Sequence, residues 1–140
     1  MNAASKVLPI SVFFIIAVSA DQFSKTLVSK YFFVWCNEGS VFGFGGNTGG
    51  NLVISLASFS ILIYFLYFIF RQEKLRENFP LILILSGGMS NLFDRLIFGC
   101  VRDFIQIFKW FPVFNLADIF ISIGVLLFVF STIKNFKKHE

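Results

Sequence analysis

Apolar and polar positions fall in long blocks along this chain, and the blocks predict its elements. Four apolar runs stand between charge clusters: 7–28, interrupted by Asp21 and Lys25; 52–70; 79–97, whose apolar part ends at Phe93 and which borrows length from its polar flank; and 113–133, interrupted by Asp118. Each is near the roughly 20 residues that a helix rising about 1.5 Å per residue needs to cross a hydrocarbon core of about 30 Å. The pattern predicts an all-α integral membrane fold, four transmembrane helices in a single domain over 1–140. Between the first two runs, "GSVFGFGGNTGG" (Gly39–Gly50) reads as a loop or a short strand pair. "RQEKLREN" (Arg71–Asn78) reads as a polar connector.

Composition points the same way, with 56% hydrophobic residues, 14% charged residues and 22 phenylalanines. Lys and Arg accumulate on the cytoplasmic side of membrane proteins, which orients the bundle. With the N-terminus inside, the inner face holds Lys6, Arg71, Lys74, Arg76, Lys134, Lys137 and Lys138 against Glu73, Glu77 and Glu140. The outer face holds Lys25, Lys30, Arg95, Arg102 and Lys109 against Asp21, Glu38, Asp94, Asp103 and Asp118, an even balance. Both termini are therefore expected in the cytoplasm, and the net charge of +4 describes tails on an anionic leaflet rather than a nucleic-acid surface. Lys6, the apolar run and "VSA" (Val18–Ala20) resemble a cleavable secretory signal. A retained first helix fits better, because apolar character resumes beyond that cut and Asp21, Ser24 and Lys25 share one helical face. Cys36 and Cys100 both lie near outer ends, where a disulfide is chemically allowed; two unrelated small apolar thiols are the expectation.

The polar residues within the runs are biased in place. Asp21, Lys25, Asn37, Asn91, Asp94, Arg95, Asp103, Asn115 and Asp118 all fall toward the outer side. Ionisable groups in hydrocarbon are costly and usually face a bundle interior. Asp94 stands beside Arg95, and Asp21 stands four residues before Lys25, so local pairing accounts for these four. Asp103 has no basic partner at helical spacing after it, and Arg102 points elsewhere on a helix or a strand; Asp118 has no charged neighbour between Lys109 and Lys134. Pro112 breaks any continuous helix and lets the chain turn back, which brings Asp118 beside Asp103. Two close carboxylates at a partly dry site do not both ionise, so one keeps a proton while the other activates water, the chemistry of an aspartic protease. That chemistry uses no metal and no cofactor. The sole histidine, His139, lies in the basic tail, which removes Ser-His-Asp and Cys-His arrangements, and the glycines at 39–46 lack the strand–loop–helix context of a phosphate loop. A membrane transport or assembly subunit with proton-relaying acids is the alternative; it predicts acids spread through the membrane's depth.

As a set, the motifs resemble the lipoprotein signal peptidases (signal peptidase II, prolipoprotein signal peptidase, peptidase family A8). "DQFSK" (Asp21–Lys25) resembles the family's Asp-x-x-Thr/Ser-Lys box, and "NEGSVFGFG" (Asn37–Gly45) its Asn-x-Gly-x-x-Phe box. "GGMSNLFDRLIFGCVRDFI" (Gly87–Ile105) is similar to the stretch joining a Gly-rich third helix to a Val-x-Asp-Phe segment. "FNLADIFISIG" (Phe114–Gly124) looks like the box that opens the fourth helix. The resemblance implies that Asp103 and Asp118 are a catalytic dyad. It further implies that Asn37, Gly39, Asn91, Arg95 and Asn115 bind substrate and that Asp21, Lys25, Gly87, Asp94 and Ala117 support the site. It implies cleavage of diacylglyceryl-modified prolipoproteins before the lipidated cysteine, in the bacterial cytoplasmic membrane; prolipoproteins and membrane lipids are the expected partners, and because one chain holds a complete set of motifs a monomer suffices. It also implies a small extracytoplasmic β element. The chain departs from the pattern in a short stretch between Lys25 and Asn37, a compact loop between Asp103 and Asp118, and in Ser40, Ser90 and Arg102. These departures bear on substrate range and rate rather than reaction type.

Overall fold

A computed structural model describes residues 3–39, 48–71 and 78–136. In chain order the elements are α1 (Ala3–Tyr31), β1 (Trp35–Asn37), α2 (Thr48–Arg71), α3 (Phe79–Phe98), β2 (Val101–Asp103) and α4 (Leu116–Phe136). Among the described residues three helical stretches are long and apolar enough to cross a membrane: Leu8–Tyr31, Phe79–Phe98 and Leu116–Lys134; Val53–Tyr67 is a shorter apolar one.

Helix α3 is the hub, packed against α1, α2 and α4. Over half of its span is buried, against 11% of α4's, so the peripheral helices turn their leucines and phenylalanines outward as lipid-facing surface does. Leu62, Leu81, Ile82, Leu85 and Leu92 form the buried apolar cluster. Helices α3 and α4 approach closely through small residues at both ends. A Cβ on Gly87 would collide with the Ala117 carbonyl, and one on Gly124 would stand 2.7 Å from the Pro80 carbonyl.

Gly99 ends α3 in the left-handed region at φ 76°, its N–H bonded to the Arg95 carbonyl. That conformation favours glycine, and it turns the chain directly into β2. Strand β2 pairs antiparallel with β1, in register Trp35↔Asp103, Cys36↔Arg102 and Asn37↔Val101. Beyond β2 the chain loops out and closes on itself through an Ile105↔Phe114 bridge.

Several expectations need correction. Of Gly39–Gly50, expected as a loop or a short strand pair, residues 40–47 lie outside those described, while Thr48–Gly50 open α2. The helices α1 and α2 outrun the apolar windows, because a helix continues through polar residues that hydropathy excludes. Helix α4 starts at Leu116 rather than 113, because the backbone of Phe114 is bonded to Phe104 and Ile105. Cys36 and Cys100, 64 residues apart, are joined in a disulfide. The strand pairing accounts for the bond: Cys36 faces Arg102 in the register, and Cys100, just before β2 and two residues from Arg102, comes within 5.5 Å of Cys36, Cα to Cα; the sequence carries no sign of that register.

Candidate active site

Beneath the site lies a buried network of four charges. Lys25, at 0% exposure, pairs with Asp21 at 2.7 Å and with Asp94 at 3.3 Å. The first contact is the expected i,i+4 pair. Asp94, however, pairs with Arg102 at 2.9 Å and not with its neighbour Arg95. One residue on a helix is a turn of about 100°, which aims the two side chains apart. The Arg102 backbone N–H also reaches Asp94, at 2.9 Å. Its guanidinium donates to Gln22 at 3.0 Å and lies 4.0 Å over the Phe98 ring. Asp21 accepts from Ser90 at 2.6 Å and from the Ala117 N–H at 2.8 Å, tying α1 to α3 and α4. Two cations and two anions thus cancel in a place where an unpaired charge is costly.

Above this floor the partners change from charges to amides. Lys25 donates to the Asn91 carbonyl oxygen at 2.8 Å, which leaves the Asn91 amide to donate to Asp118 Oδ1, also at 2.8 Å. Asn115 donates to Asp103 Oδ1 at 2.6 Å and to Asn91 at 3.2 Å. From β1, Asn37 donates to Asp103 Oδ2 at 3.0 Å.

Local structure delivers Asp118. Asn115 is the N-cap of α4: its side-chain oxygen accepts the Asp118 N–H at 3.0 Å, while Asp118 Oδ2 accepts the Asn115 N–H at 3.1 Å. This is a reciprocal capping box with Asn and Asp in the two positions. Asp103 arrives from β2, whose alternation sends Arg102 to the charge network and Asp103 to the opposite face.

Asp103 and Asp118 line one cavity of about 500 Å³ together with Asn37, Gly39, Asn91 and Arg95. Its remaining wall is mostly apolar, from Ile107 and Phe111–Phe114 on one side and Ile119, Ile123 and Leu126 of α4 on the other. Burial pushes the Asp103 carboxyl up to about 6; the hydrogen bond from Asn37 opposes this, the negative charge of Asp118 adds to it, and Asn115 and Lys25 oppose it. Asp103 therefore holds a proton more readily than an ordinary carboxyl. Arg95 donates to the Gly39 carbonyl at 3.2 Å, and its buried Nε has no hydrogen-bond partner among the described residues. Buried polar groups are nearly always paired, so this unpaired N–H is an exception on a residue that lines the cavity.

Among the residues singled out in the sequence, Asn115 sits behind the cavity wall, bridging the acids. Asp21, Lys25 and Asp94 form the charged floor, and Gly87 and Ala117 are the α3–α4 contact. Gln22 and Arg102 were not assigned to the site, yet both complete that floor. The signal was available for Gln22, a polar side chain inside an apolar run. Among the described residues no cluster of His, Cys, Asp and Glu is arranged to hold a metal.

Fold and site define a helical membrane protein with two acids sharing a cavity at one end of its helices. Comparison with known families is consistent with that class and sharper. The family model for signal peptidase (SPase) II matches residues 13–134. A lipoprotein signal peptidase of Anaplasma phagocytophilum is 33% identical over 133 residues, covering 81% of this chain and 85% of that protein. One of Caldicellulosiruptor bescii is 44% identical over 79 residues, 56% of this chain and 52% of that protein, so this alignment spans about half of each. The fold is similar to a solved bacterial membrane enzyme, with a TM-score of 0.80 at 24% identity, covering 99% of this chain and 93% of the other. The chain belongs to the signal peptidase II family.

Proposed function

We propose that this protein is a membrane aspartyl endopeptidase that removes the signal peptide from diacylglyceryl-modified prolipoproteins, cutting before the lipidated cysteine. The observation that carries the reading is the contrast between two kinds of buried acid. Asp21 and Asp94 are neutralised by cations, whereas Asp103 and Asp118 are held by amides at the wall of a cavity.

In the mechanism this geometry supports, a water lies between the two carboxyls and the scissile carbonyl. The ionised acid takes a proton from the water as its oxygen bonds to the carbonyl carbon, and the protonated acid gives its proton to the carbonyl oxygen. A tetrahedral diol results. The proton just gained then passes to the amide nitrogen as the C–N bond breaks, while one diol hydroxyl returns its proton to the other carboxylate and re-forms the carbonyl; the departing amine carries the lipid-modified cysteine at its head. Asn91, Asn115 and Asn37 fix the carboxyl planes, and Arg95 offers its free N–H to a substrate carbonyl in a setting where unsatisfied backbone is costly.

The apolar wall suits both halves of such a substrate, the hydrophobic signal segment and the acyl chains. In this reading four helices cross the bacterial inner membrane with both termini in the cytoplasm, and the site faces the extracytoplasmic side. The charge balance of the loops supports that orientation, and so does the disulfide, which forms in oxidising compartments. Exposed aromatics near the site, including Phe33, Trp35 and Trp110, suit the interfacial level. One chain carries the whole set, so a monomer suffices. The test is incubation of the purified protein with a precursor peptide bearing a diacylglyceryl cysteine, beside the same peptide without lipid. A product starting at the lipidated cysteine, and no product from the bare peptide, is expected; a cut elsewhere, or equal cutting of both, contradicts the reading.

A further inference from the structure

Asn37 reaches Asp103 only because β1 lies on β2, and that pairing is small. It consists of three register pairs in a two-stranded sheet, an arrangement of marginal stability by itself in water. The Cys36–Cys100 disulfide closes it covalently, one residue before Asn37 and three before Gly39, whose carbonyl accepts from Arg95. On the other side, Cys100 leads directly into β2. Cys100 is buried at 3% exposure, whereas Cys36 is exposed, so a dissolved thiol reaches the bond from the Cys36 side.

We propose that Cys36–Cys100 is an oxidative maturation site: forming the disulfide clamps Asn37 and Gly39 onto Asp103 and Arg95, and the cavity becomes competent only then. The inference rests on the peptidase reading given above. Its chemistry is thiol–disulfide exchange with an envelope disulfide oxidant. The Cys36 thiolate attacks one sulfur of the oxidant and expels one thiol. The Cys100 thiolate then attacks Cys36 Sγ and expels the second. Two protein thiols are oxidised and one disulfide is reduced to two thiols, so electrons and protons balance. Reduction by a dithiol runs the same steps backward. The placement of the pair also restricts activity by compartment, because a chain whose β1–β2 end faces a reducing space stays unclamped.

The test uses the full chain in detergent or nanodiscs, oxidised, reduced with a dithiol, and reoxidised with oxidised glutathione, with thiol content followed by mass. Cleavage of the lipidated precursor is measured beside amide hydrogen exchange at residues 35–39. Reduction is expected to lower kcat/KM about tenfold or more, the scale of one lost hydrogen bond to a charged group. It is also expected to speed exchange at 35–39 while leaving α3 unchanged, and reoxidation restores both. A Cys36→Ser, Cys100→Ser double variant matches the reduced protein and no longer responds to reductant. Activity within about twofold on reduction, with exchange unchanged, overturns the proposal. An oxidised protein that never cleaves overturns the peptidase reading instead, and the exchange data then decide the clamp on their own.

Discussion

The side-chain amide of Asn115 donates to Asp103 at 2.6 Å, and the same residue's backbone N–H and side-chain oxygen form the cap that holds Asp118. One asparagine thus sets the position of both acids, one through its amide and the other through the first turn of a helix. The two roles separate by substitution. Asn115→Ser keeps a good N-cap and removes the amide, so its thermal stability is expected within about 1 kcal/mol of wild type, while precursor cleavage falls by about tenfold or more through the lost hydrogen bond to Asp103. Asn115→Ala loses both. Calorimetry and cleavage measured on the same samples check the split.

Burial of Asp103 leads to a pH signature. In the folded chain its carboxyl titrates near 6, against an ordinary 3.8, so the folded state binds this proton more tightly than the unfolded state. The contribution is fully present below about pH 4 and is lost as pH rises through about 6, a span worth roughly 3 kcal/mol at most. Asp103→Asn has no such proton. Its stability relative to wild type is expected to rise between pH 4 and 7 and to level off above, as followed by thermal unfolding.

The charged floor is expected to be intolerant of single losses. Arg102→Met leaves Asp94 with Lys25 as its remaining cation and orphans the Gln22 carbonyl. Breaking a buried pair by removing one partner costs about 3–5 kcal/mol. A thermal-shift comparison with Lys109→Met, an exposed cation outside the network, measures the difference.

Two adjacent glycines make a matched pair. A Cβ at Gly87 meets the Ala117 backbone, which cannot move aside, whereas one at Gly88 meets the flexible end of Leu62. Gly87→Ala is expected to cost about 1–3 kcal/mol by forcing α3 from α4, and Gly88→Ala less. Because Ala117 precedes Asp118, Gly87→Ala is also expected to lower activity, a readout that separates it from its neighbour.

Sequence blocks made the helices legible because hydrocarbon selects long apolar runs whatever the tertiary contacts. The pair at 103 and 118 was legible for a related reason. An ionisable residue that no local partner explains is rare in such a chain, and Pro112 marked a break between them, just past the turn that the Phe111 N–H closes on the Phe108 carbonyl. Pairings between elements were not legible. Nothing in "FDRL" says that Asp94 looks toward Arg102 rather than Arg95; the direction is set by where Gly99 turns the chain into β2. The strand register, and with it the Cys36–Cys100 bond, depends on residues 64 apart in sequence that carry no period or charge cue. Arg102 was not legible because its partners, Asp94 of α3 and Gln22 of α1, meet it only once β2 is folded against both helices.

The central claim is that Asp103 and Asp118 act together on water. It is tested most directly by cleavage of a diacylglyceryl precursor with purified wild-type, Asp103→Asn and Asp118→Asn proteins, with unfolding temperature recorded for each. Both variants are expected to remain folded and to lose cleavage by about a hundredfold to ten-thousandfold, the range for removal of a general acid or base. A folded variant of either kind that cleaves at a rate near wild type would contradict the dyad.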